Sequence, residues 1–172
     1  MPPSSSTSPA TPPPIGLDHG HDHRQCIEAG IDAAERHCAA TGLRLTPVRR
    51  RVLALLLAQH RAMGAYELLD VLRQEGLGSQ PPVIYRALNF LVKHGLAHRI
   101  EHLNAFVACA APNSGHAPVF LICRMCKRVG EVDTAVAENI LAPVTQIAGF
   151  RIERASVEAI GICAHCEEAD HP

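Results

Sequence analysis

Four cysteines are arranged in two pairs whose spacing is suited to metal binding. Cys123 and Cys126 form one C-x-x-C pair, and Cys163 and Cys166 form a second pair after an interval of 36 residues. In such a turn both thiolates face one ion, so two pairs can complete a tetrahedral Cys₄ shell. The interval exceeds the roughly 15–20 residues of a simple zinc ribbon, so folded elements must bring the pairs together. We predict a structural zinc site; an iron–sulfur cluster uses the same four ligands and stays open as an alternative.

Other chemistries of paired cysteines require residues that this sequence does not contain. A thioredoxin-like redox site has one C-x-x-C near an N-terminal βαβ pattern, which is missing here. A zinc deaminase needs H-x-E ahead of P-C-x-x-C. A zinc hydrolase with Glu131 as general base would need an HExxH-like motif, which the chain also lacks. We therefore expect a protein that is not an enzyme.

Single metal-binding side chains surround the first cysteine pair. They are His98, His102, Cys109, His116 and Glu131. A mixed set of nitrogen, sulfur and oxygen donors can hold a second zinc ion. The set lies where a helical front half gives way to a strand-rich back half. For His102, solvent exposure is the simpler interpretation. Cys26 and Cys38 lie on the predicted first helix, where we expect each to be a small buried or half-buried residue.

Composition limits the class of protein. The chain has 172 residues, of which 47% are hydrophobic and 19% charged, enough to bury a core. The longest apolar run, residues 52–58, is far shorter than the roughly 20 residues of a membrane span. Residues 1–23 are rich in proline and serine and end in His19, His21 and His23, which predicts a disordered leader rather than a secretory signal. A cytoplasmic location is expected, where the seven cysteines stay reduced.

Charge is divided unevenly along the chain, although the total is only −1. Residues 24–103 carry eleven basic and seven acidic side chains, and residues 104–172 carry five basic and eight acidic ones. A basic front half and an acidic back half indicate that only the front half binds a polyanion.

Hydrophobic periodicity predicts four short helices in residues 24–103. The first spans about 24–41, the second begins at Pro47 after the N-cap Thr46, the third spans about 65–76, and the fourth spans about 81–95. The second helix is expected to bury Val48, Val52, Leu55 and Leu56. The alternating segment 96–101 predicts a strand, and together these elements predict a winged helix-turn-helix domain over 24–103.

Residues 104–172 predict a second, smaller α/β domain, which makes the whole chain α+β. Strands are expected at 105–109, 119–123, 129–132 and 150–162, with a helix over 135–148. A domain of about 65 residues is marginal on its core alone, so a metal site or a dimer partner is expected.

Several segments resemble the ferric uptake regulator (Fur) superfamily. They are RLTPVR at 44–49, AYELLDVLR at 65–73, PPVIYRALNFL at 81–91, and the two C-x-x-C pairs. The resemblance covers residues from about 30 to 168. Two prolines ahead of the fourth helix, and His116 alone where iron and peroxide sensors carry several histidines, are most similar to the zinc uptake regulator (Zur) branch.

The resemblance implies a zinc-responsive repressor of zinc-uptake genes, acting as a homodimer on pseudo-palindromic double-stranded operator DNA. It implies a dimerisation domain over 104–172 with Zn²⁺ at two sites per chain. The structural zinc ligands would be Cys123, Cys126, Cys163 and Cys166, and the regulatory ligands His98, Cys109, His116 and Glu131. An ion held from both domains would fix the angle between them. The alternative is a family regulator that answers to iron, manganese, nickel or peroxide, although a thiolate ligand favours zinc.

The fourth helix is the expected recognition helix. Its apolar side turns Tyr85, Arg86, Asn89 and Lys93 outward, and Arg86 is suited to a bidentate contact with guanine. A phosphate contact is the alternative for Arg86. The resemblance adds Tyr66 as a base contact, and the predicted phosphate ligands are Arg44, Arg49 and Arg50.

Overall fold

The computed structural model describes most of the chain from residue 23 onward. The described residues are 23–59, 61–78, 80–110, 112, 117–132, 139, 141–143, 150–153 and 155–169. The predicted leader, with His19 and His21, lies outside them, as do His116, most of the helix predicted over 135–148, and the side chains of His23 and Cys26.

Four helices form the front half, as the periodicity predicted. They are α1 (His23–Ala40), α2 (Pro47–Leu57), α3 (Ala65–Gln74) and α4 (Pro81–Lys93). Thr46 caps α2 by accepting a hydrogen bond from the Arg49 N–H at 3.5 Å. Gly95 follows α4 with φ of +65°, a left-handed conformation that ends a helix with little strain in glycine.

The helices pack on a leucine-rich core. The fully buried leucines include Leu56, Leu68, Leu72, Leu88 and Leu91. The stripe expected for α2 was partly wrong: Leu53 is buried, whereas Val48 and Leu55 are only half-buried. Contacts on two sides, from α1 and from α4, widen the buried face of α2 beyond one narrow stripe.

A three-stranded antiparallel sheet follows the helices. Its strands are β1 (Met63–Gly64), β2 (Ala97–Ile100) and β3 (Ala105–Ala108), in the order β1-β3-β2. The strand predicted at 105–109 therefore pairs with β2 and β1 and does not join the second sheet. A four-residue turn lets β3 fold directly back onto β2, and this β2–β3 hairpin is the wing.

The second sheet has the order β5-β4-β6. Its strands are β4 (Val119–Cys123), β5 (Val129–Val132) and β6 (Val157–Gly161). β5 is antiparallel to β4 and β6 is parallel to it, so β4 is the central strand. β6 is much shorter than the strand predicted over 150–162, and a short helix, α5 (Ala164–Ala169), follows it.

The wing and the second sheet share a small hydrophobic core. Its residues are Ala62, Ile100, Ala105, Val107, Phe120, Ile122 and Val129. The backbone of Arg61, just ahead of β1, also forms an antiparallel bridge with Arg128, just ahead of β5. The two sheets are thus joined by side-chain packing as well as by the chain. Among the described helices, none is long and apolar enough to cross a membrane.

Candidate metal centres and nucleic-acid interface

The four paired cysteines converge at one end of the second sheet. Cys123 ends β4 and Cys126 lies in the turn after it, while Cys163 and Cys166 bracket the start of α5. All four Sγ atoms lie within 4.8 Å of one another. The Sγ atoms of Cys126 and Cys163 are 3.8 Å apart. Zinc–sulfur bonds near 2.3 Å in a tetrahedron separate the sulfurs by roughly 3.8 Å, so the arrangement fits zinc.

Hydrogen bonds prepare this cluster for a cation. The backbone N–H of Cys163 donates to the Cys123 sulfur at 3.4 Å. Burial alone would raise the pKa of Cys123, but backbone N–H donors outweigh it and lower that pKa to about 6. Hydrogen bonding to the Cys163 thiol, with burial, raises the pKa of Cys166 to about 12. Four neighbouring thiols cannot all ionise without a cation, so metal binding and thiol deprotonation are linked here.

A second candidate metal centre lies where the wing meets the second sheet. The ligand atoms of His98, Cys109 and Glu131 all lie within 4.8 Å of one another. His98 Nε2 is 3.9 Å from Glu131 Oε1, and these two side chains are only 12% and 10% exposed. Nitrogen, sulfur and carboxylate oxygen in a nearly buried cluster form a donor set that fits zinc. The structure brings together three of the four predicted regulatory ligands.

Two ligands of this second cluster are held in place by hydrogen bonds. Glu131 Oε2 accepts a hydrogen bond from the Ala110 N–H at 3.0 Å. The Cys109 N–H donates to the Leu96 carbonyl at 3.1 Å. His98 comes from β2, Cys109 follows β3, and Glu131 comes from β5. The cluster therefore spans both sheets.

The outer face of α4 carries the predicted DNA-binding side chains. Tyr85, Arg86, Asn89 and Lys93 are all exposed, as expected. Arg86 Nε donates to the Pro82 carbonyl at 3.2 Å, which keeps the side chain along its own helix. Tyr66 begins α3 and is 64% exposed, unusual for an aromatic ring of this size. The side chains predicted to contact DNA are thus exposed on the surface.

The predicted phosphate ligands differ in their surroundings. The Arg49 guanidinium lies 3.6 Å from the centre of the Phe90 ring and donates to the Arg44 carbonyl at 2.7 Å. Arg50 forms an ion pair with Glu35 at 2.9 Å, which partly balances its charge. The phosphate role of Arg44, Arg49 and Arg50 stays a prediction.

Four further residues show where the structure agrees with the sequence predictions and where it adds to them. His102 is exposed and Cys38 is buried in the helical core, as expected. Phe120, which contacts His98, and Glu158, which contacts the wing, were not predicted from the sequence. Only the strand register brings these two residues to the site.

Comparison with known proteins agrees with this architecture. The profile of the Ferric uptake regulator family matches residues 40–160. The chain is 38% identical over 143 residues to the zinc uptake regulation protein of Escherichia coli K12, covering 81% of this chain and 84% of the relative. It is 29% identical over 128 residues to the zinc uptake regulation protein of Mycobacterium tuberculosis H37Rv, covering 74% and 98%.

Two solved structures are similar over most of their length. One is a zinc uptake regulator complexed with zinc and DNA, with a TM-score of 0.80 and 35% identity, covering 85% of this chain and 98% of that one. The other is holo XcZur, with a TM-score of 0.73 and 41% identity, covering 81% and 98%. The similarity therefore extends across the helices and both sheets.

Proposed function

Because this chain belongs to the ferric uptake regulator family, we propose that it is a zinc-responsive transcriptional repressor that binds operator DNA as a homodimer. The observation that carries the proposal is the convergence of His98, Cys109 and Glu131 from both the wing and the second sheet. The similarity to regulators of zinc uptake, one of them bound to zinc and DNA, supports it. In this proposal the chain regulates genes and is not an enzyme, and it acts in the cytoplasm.

We assign one zinc ion to each cluster, a structural ion to the four cysteines and a regulatory ion to the second cluster. Cys123, Cys126, Cys163 and Cys166 hold the structural ion, which neutralises their thiolates and ties the end of β4 to the start of α5. His98, Cys109 and Glu131 hold the regulatory ion, and His116 is the proposed fourth ligand. The mixed donor set and its nearly buried position support this assignment.

The switch follows from the elements that carry the regulatory ligands. We divide the chain after β3, because that strand pairs within the wing, with the DNA-binding unit before the division and the dimerisation unit after it. His98 lies on the wing side, Cys109 directly follows the division, and Glu131 lies on the far side of it. When all three bind one ion, the wing keeps a single orientation on the dimerisation sheet. Binding of zinc thereby shifts the population toward the DNA-binding geometry.

DNA recognition is assigned to α4 and the start of α3. Arg86 reads a guanine edge, with Tyr66 as a second base contact; Tyr85, Asn89 and Lys93 flank them on the same surface. Arg44, Arg49 and Arg50 contact phosphates and set the position of the helix on the duplex.

The homodimer is supported by the position of β6. Within the described residues, β6 lies at the edge of its sheet. Ile160 on this strand is 50% exposed, and Ile162 just after it is 40% exposed. An edge strand with exposed apolar side chains is suited to pairing with a second copy. A two-fold dimer would present two α4 helices to the two halves of a pseudo-palindromic site.

A regulator of the same family that responds to iron, manganese, nickel or peroxide is the second candidate. The Cys109 thiolate argues against manganese and iron, since both prefer harder oxygen and nitrogen ligands. Zinc and nickel both accept this donor set, and a direct metal titration distinguishes them.

The test combines metal content with DNA binding. We expect about one tightly held zinc per chain after purification, from a single Cys₄ shell. A second zinc, titrated under a chelator buffer, should bind reversibly and strengthen binding to the chain's own promoter region. Equal titrations with iron, manganese and nickel, and exposure to peroxide, provide the comparison. DNA binding that is indifferent to zinc, or that responds to another effector instead, would overturn the proposal.

A further inference from the structure

Glu158 makes a contact that neither metal site explains. It is half-buried on β6, in the second sheet. Its carboxylate accepts hydrogen bonds from the N–H groups of Glu101 at 2.7 Å and His102 at 3.0 Å. Those two residues begin the turn between β2 and β3, which is the tip of the wing. A side chain of the second sheet therefore holds the wing tip directly.

Glu158 belongs to a row of three side chains that face the wing. In the strand register Phe120 lies opposite Glu131 of β5 on one side and opposite Glu158 of β6 on the other. Directly opposed residues of neighbouring strands project to the same face of a sheet. Adjacent strands are separated by about 4.8 Å, so the row spans roughly 10 Å.

Each member of the row contacts a different part of the wing. Glu131 accepts a hydrogen bond from Ala110, at the base of the hairpin. Phe120 packs against the His98 ring in the middle. Glu158 binds the tip. One end of the row is thus part of the regulatory metal site, whereas the other end needs no metal.

We propose that Glu158 is a positioning residue for DNA binding, which anchors the wing tip to the dimerisation sheet independently of metal. The proposal rests on the proposed function. A hairpin held only at its tip can still pivot, and a hairpin held at tip and base has one orientation. Glu158 supplies the first anchor and the regulatory zinc site supplies the second.

The chemistry of the contact suits a permanent anchor. A carboxylate that accepts two backbone N–H groups forms charge-assisted hydrogen bonds, which are stronger than neutral ones. The carboxylate of Glu101 itself pairs with Arg99 Nε at 3.3 Å, so only its backbone engages Glu158. Because β6 is also the proposed dimer strand, this anchor links the wing to the dimer interface.

The anchor implies thermodynamic coupling with zinc. Both stabilise the same orientation of the wing, so each strengthens the other by the same factor. Glu158 is not a ligand in either cluster, and an effect of its removal on zinc affinity reports this coupling rather than lost coordination.

The experiment compares Glu158→Ala and Glu158→Gln with Glu153→Gln, using the full chain with its structural zinc. Glu153 is a matched control, because it is an exposed carboxylate of the same unit that pairs with Arg151 at 3.0 Å. The readouts are amide hydrogen exchange at residues 101 and 102, affinity for exchangeable zinc, and operator affinity at saturating zinc.

For Glu158→Ala we expect amide exchange at residues 101 and 102 to accelerate about tenfold, the scale of losing charged hydrogen bonds. Affinity for exchangeable zinc and operator affinity should each fall about fivefold, the lower end of ordinary site–site coupling. Glu158→Gln should lie between this variant and wild type, since one side-chain oxygen still accepts a hydrogen bond. Glu158→Ala should keep its tightly held zinc. Glu153→Gln should match wild type in all three readouts.

Unchanged exchange at residues 101 and 102, or unchanged zinc affinity, in Glu158→Ala would overturn the anchor. If Glu158→Ala loses its structural zinc, the anchor is tested instead with the nearly isosteric Glu158→Gln, by amide exchange at residues 101 and 102 and by zinc affinity. Failure of the proposed function gives a different result, because wild type would then bind the operator no better with zinc than without it. Amide exchange at residues 101 and 102 would still test the anchor.

Discussion

The imidazole of His98 lies against the phenyl ring of Phe120, with ring centroids 5.3 Å apart and planes inclined by 59°. His98 comes from the wing and is a proposed metal ligand. Phe120 is fully buried in the centre of the second sheet. A core side chain therefore fixes the orientation of a ligand, which makes metal affinity depend on packing as well as on donor atoms.

Replacing Phe120 by leucine should weaken the regulatory zinc site without removing a ligand. Leucine keeps much of the apolar volume but leaves the His98 ring without its flat neighbour. We expect affinity for exchangeable zinc to fall about tenfold, as with other changes behind a ligand. Chelator competition measures it. Ile122→Val, in the same strand and core, is the control; an equal loss in both variants would indicate general loosening instead.

Replacing Cys109 by serine should abolish the zinc response while the fold is kept. Serine removes the only sulfur of the described second cluster. We expect the variant to hold one tight zinc per chain, as a Cys₄ site alone would, to remain dimeric, and to bind the operator equally weakly with and without added zinc. Cys38→Ala removes a thiol buried in the helical core and should keep the response. A Cys109→Ser variant that still represses in proportion to zinc would refute the ligand assignment.

Replacing Cys163 by serine should instead destabilise the second sheet. The residue holds the chain after β6 against Cys123 and Cys126, and structural zinc contributes folding free energy directly. We expect loss of the tight zinc, a lower melting temperature and loss of the dimer, measured by metal analysis, calorimetry and size-exclusion chromatography. His165 lies in α5, between Cys163 and Cys166, and His165→Ala should retain all three properties. A Cys163→Ser chain that retains its tight zinc would contradict the Cys₄ assignment.

The helical half could be predicted from sequence because its signals are local. The apolar spacing belongs to each helix itself. Thr46 and the glycines that end the helices lie directly beside the helices they define. Strand pairing is not local. The wing turn, Glu101 to Asn104, has no glycine to mark a tight hairpin, so the sequence carried no local signal that β3 pairs with β2. A two-residue strand such as β1 leaves no pattern to detect.

The candidate site shows the same difference between what local sequence signals predict and what depends on strand pairing. The Cys₄ cluster follows from the spacing of its residues alone. His98, Cys109 and Glu131 were grouped with His102 and His116 by their position along the chain, and the family resemblance separated them from His102. Phe120 and Glu158 are an ordinary apolar residue and an ordinary acid within strands, and the register of three strands is needed to place them against the wing.

The ion pair between Arg61 and Glu67 should make stability sensitive to acid. The Arg61 guanidinium donates to the Glu67 carboxylate, and this hydrogen bond lowers the pKa of Glu67 despite the opposing effect of burial. A carboxyl group with a lowered folded-state pKa stabilises the fold above its unfolded pKa of about 4.3, and this contribution is lost as the pH falls through the lower folded value.

Glu67→Gln should therefore be less stable than wild type at neutral pH, and the difference should shrink below about pH 4. Thermal unfolding across a pH series measures both quantities. The exposed pair of Arg151 and Glu153 provides the comparison, since Glu153→Gln should change stability little at any pH. A constant difference between Glu67→Gln and wild type at all pH values would show that the ion pair is not the cause.

Arg86 and Arg51 allow base reading to be separated from simple charge. Both are arginines of the helical unit, but Arg86 projects from the outer face of α4, whereas Arg51 Nε donates to Glu75 at 2.7 Å. Arg86→Ala should weaken operator binding by about 1–3 kcal/mol, the value of a bidentate guanine contact, and should reduce discrimination against a scrambled duplex. Arg51→Ala removes the same charge and should change operator affinity little.

Binding isotherms on both duplexes, repeated across a salt series, decide the role of Arg86. A base contact lowers affinity for the operator selectively and leaves the salt dependence nearly unchanged. A phosphate contact lowers affinity for both duplexes alike and reduces the slope of log K against log salt by about one. The exposed position of Arg86 among Tyr85 and Asn89 on one helix face favours the first result, and equal loss on both duplexes would reassign Arg86 to the phosphate backbone.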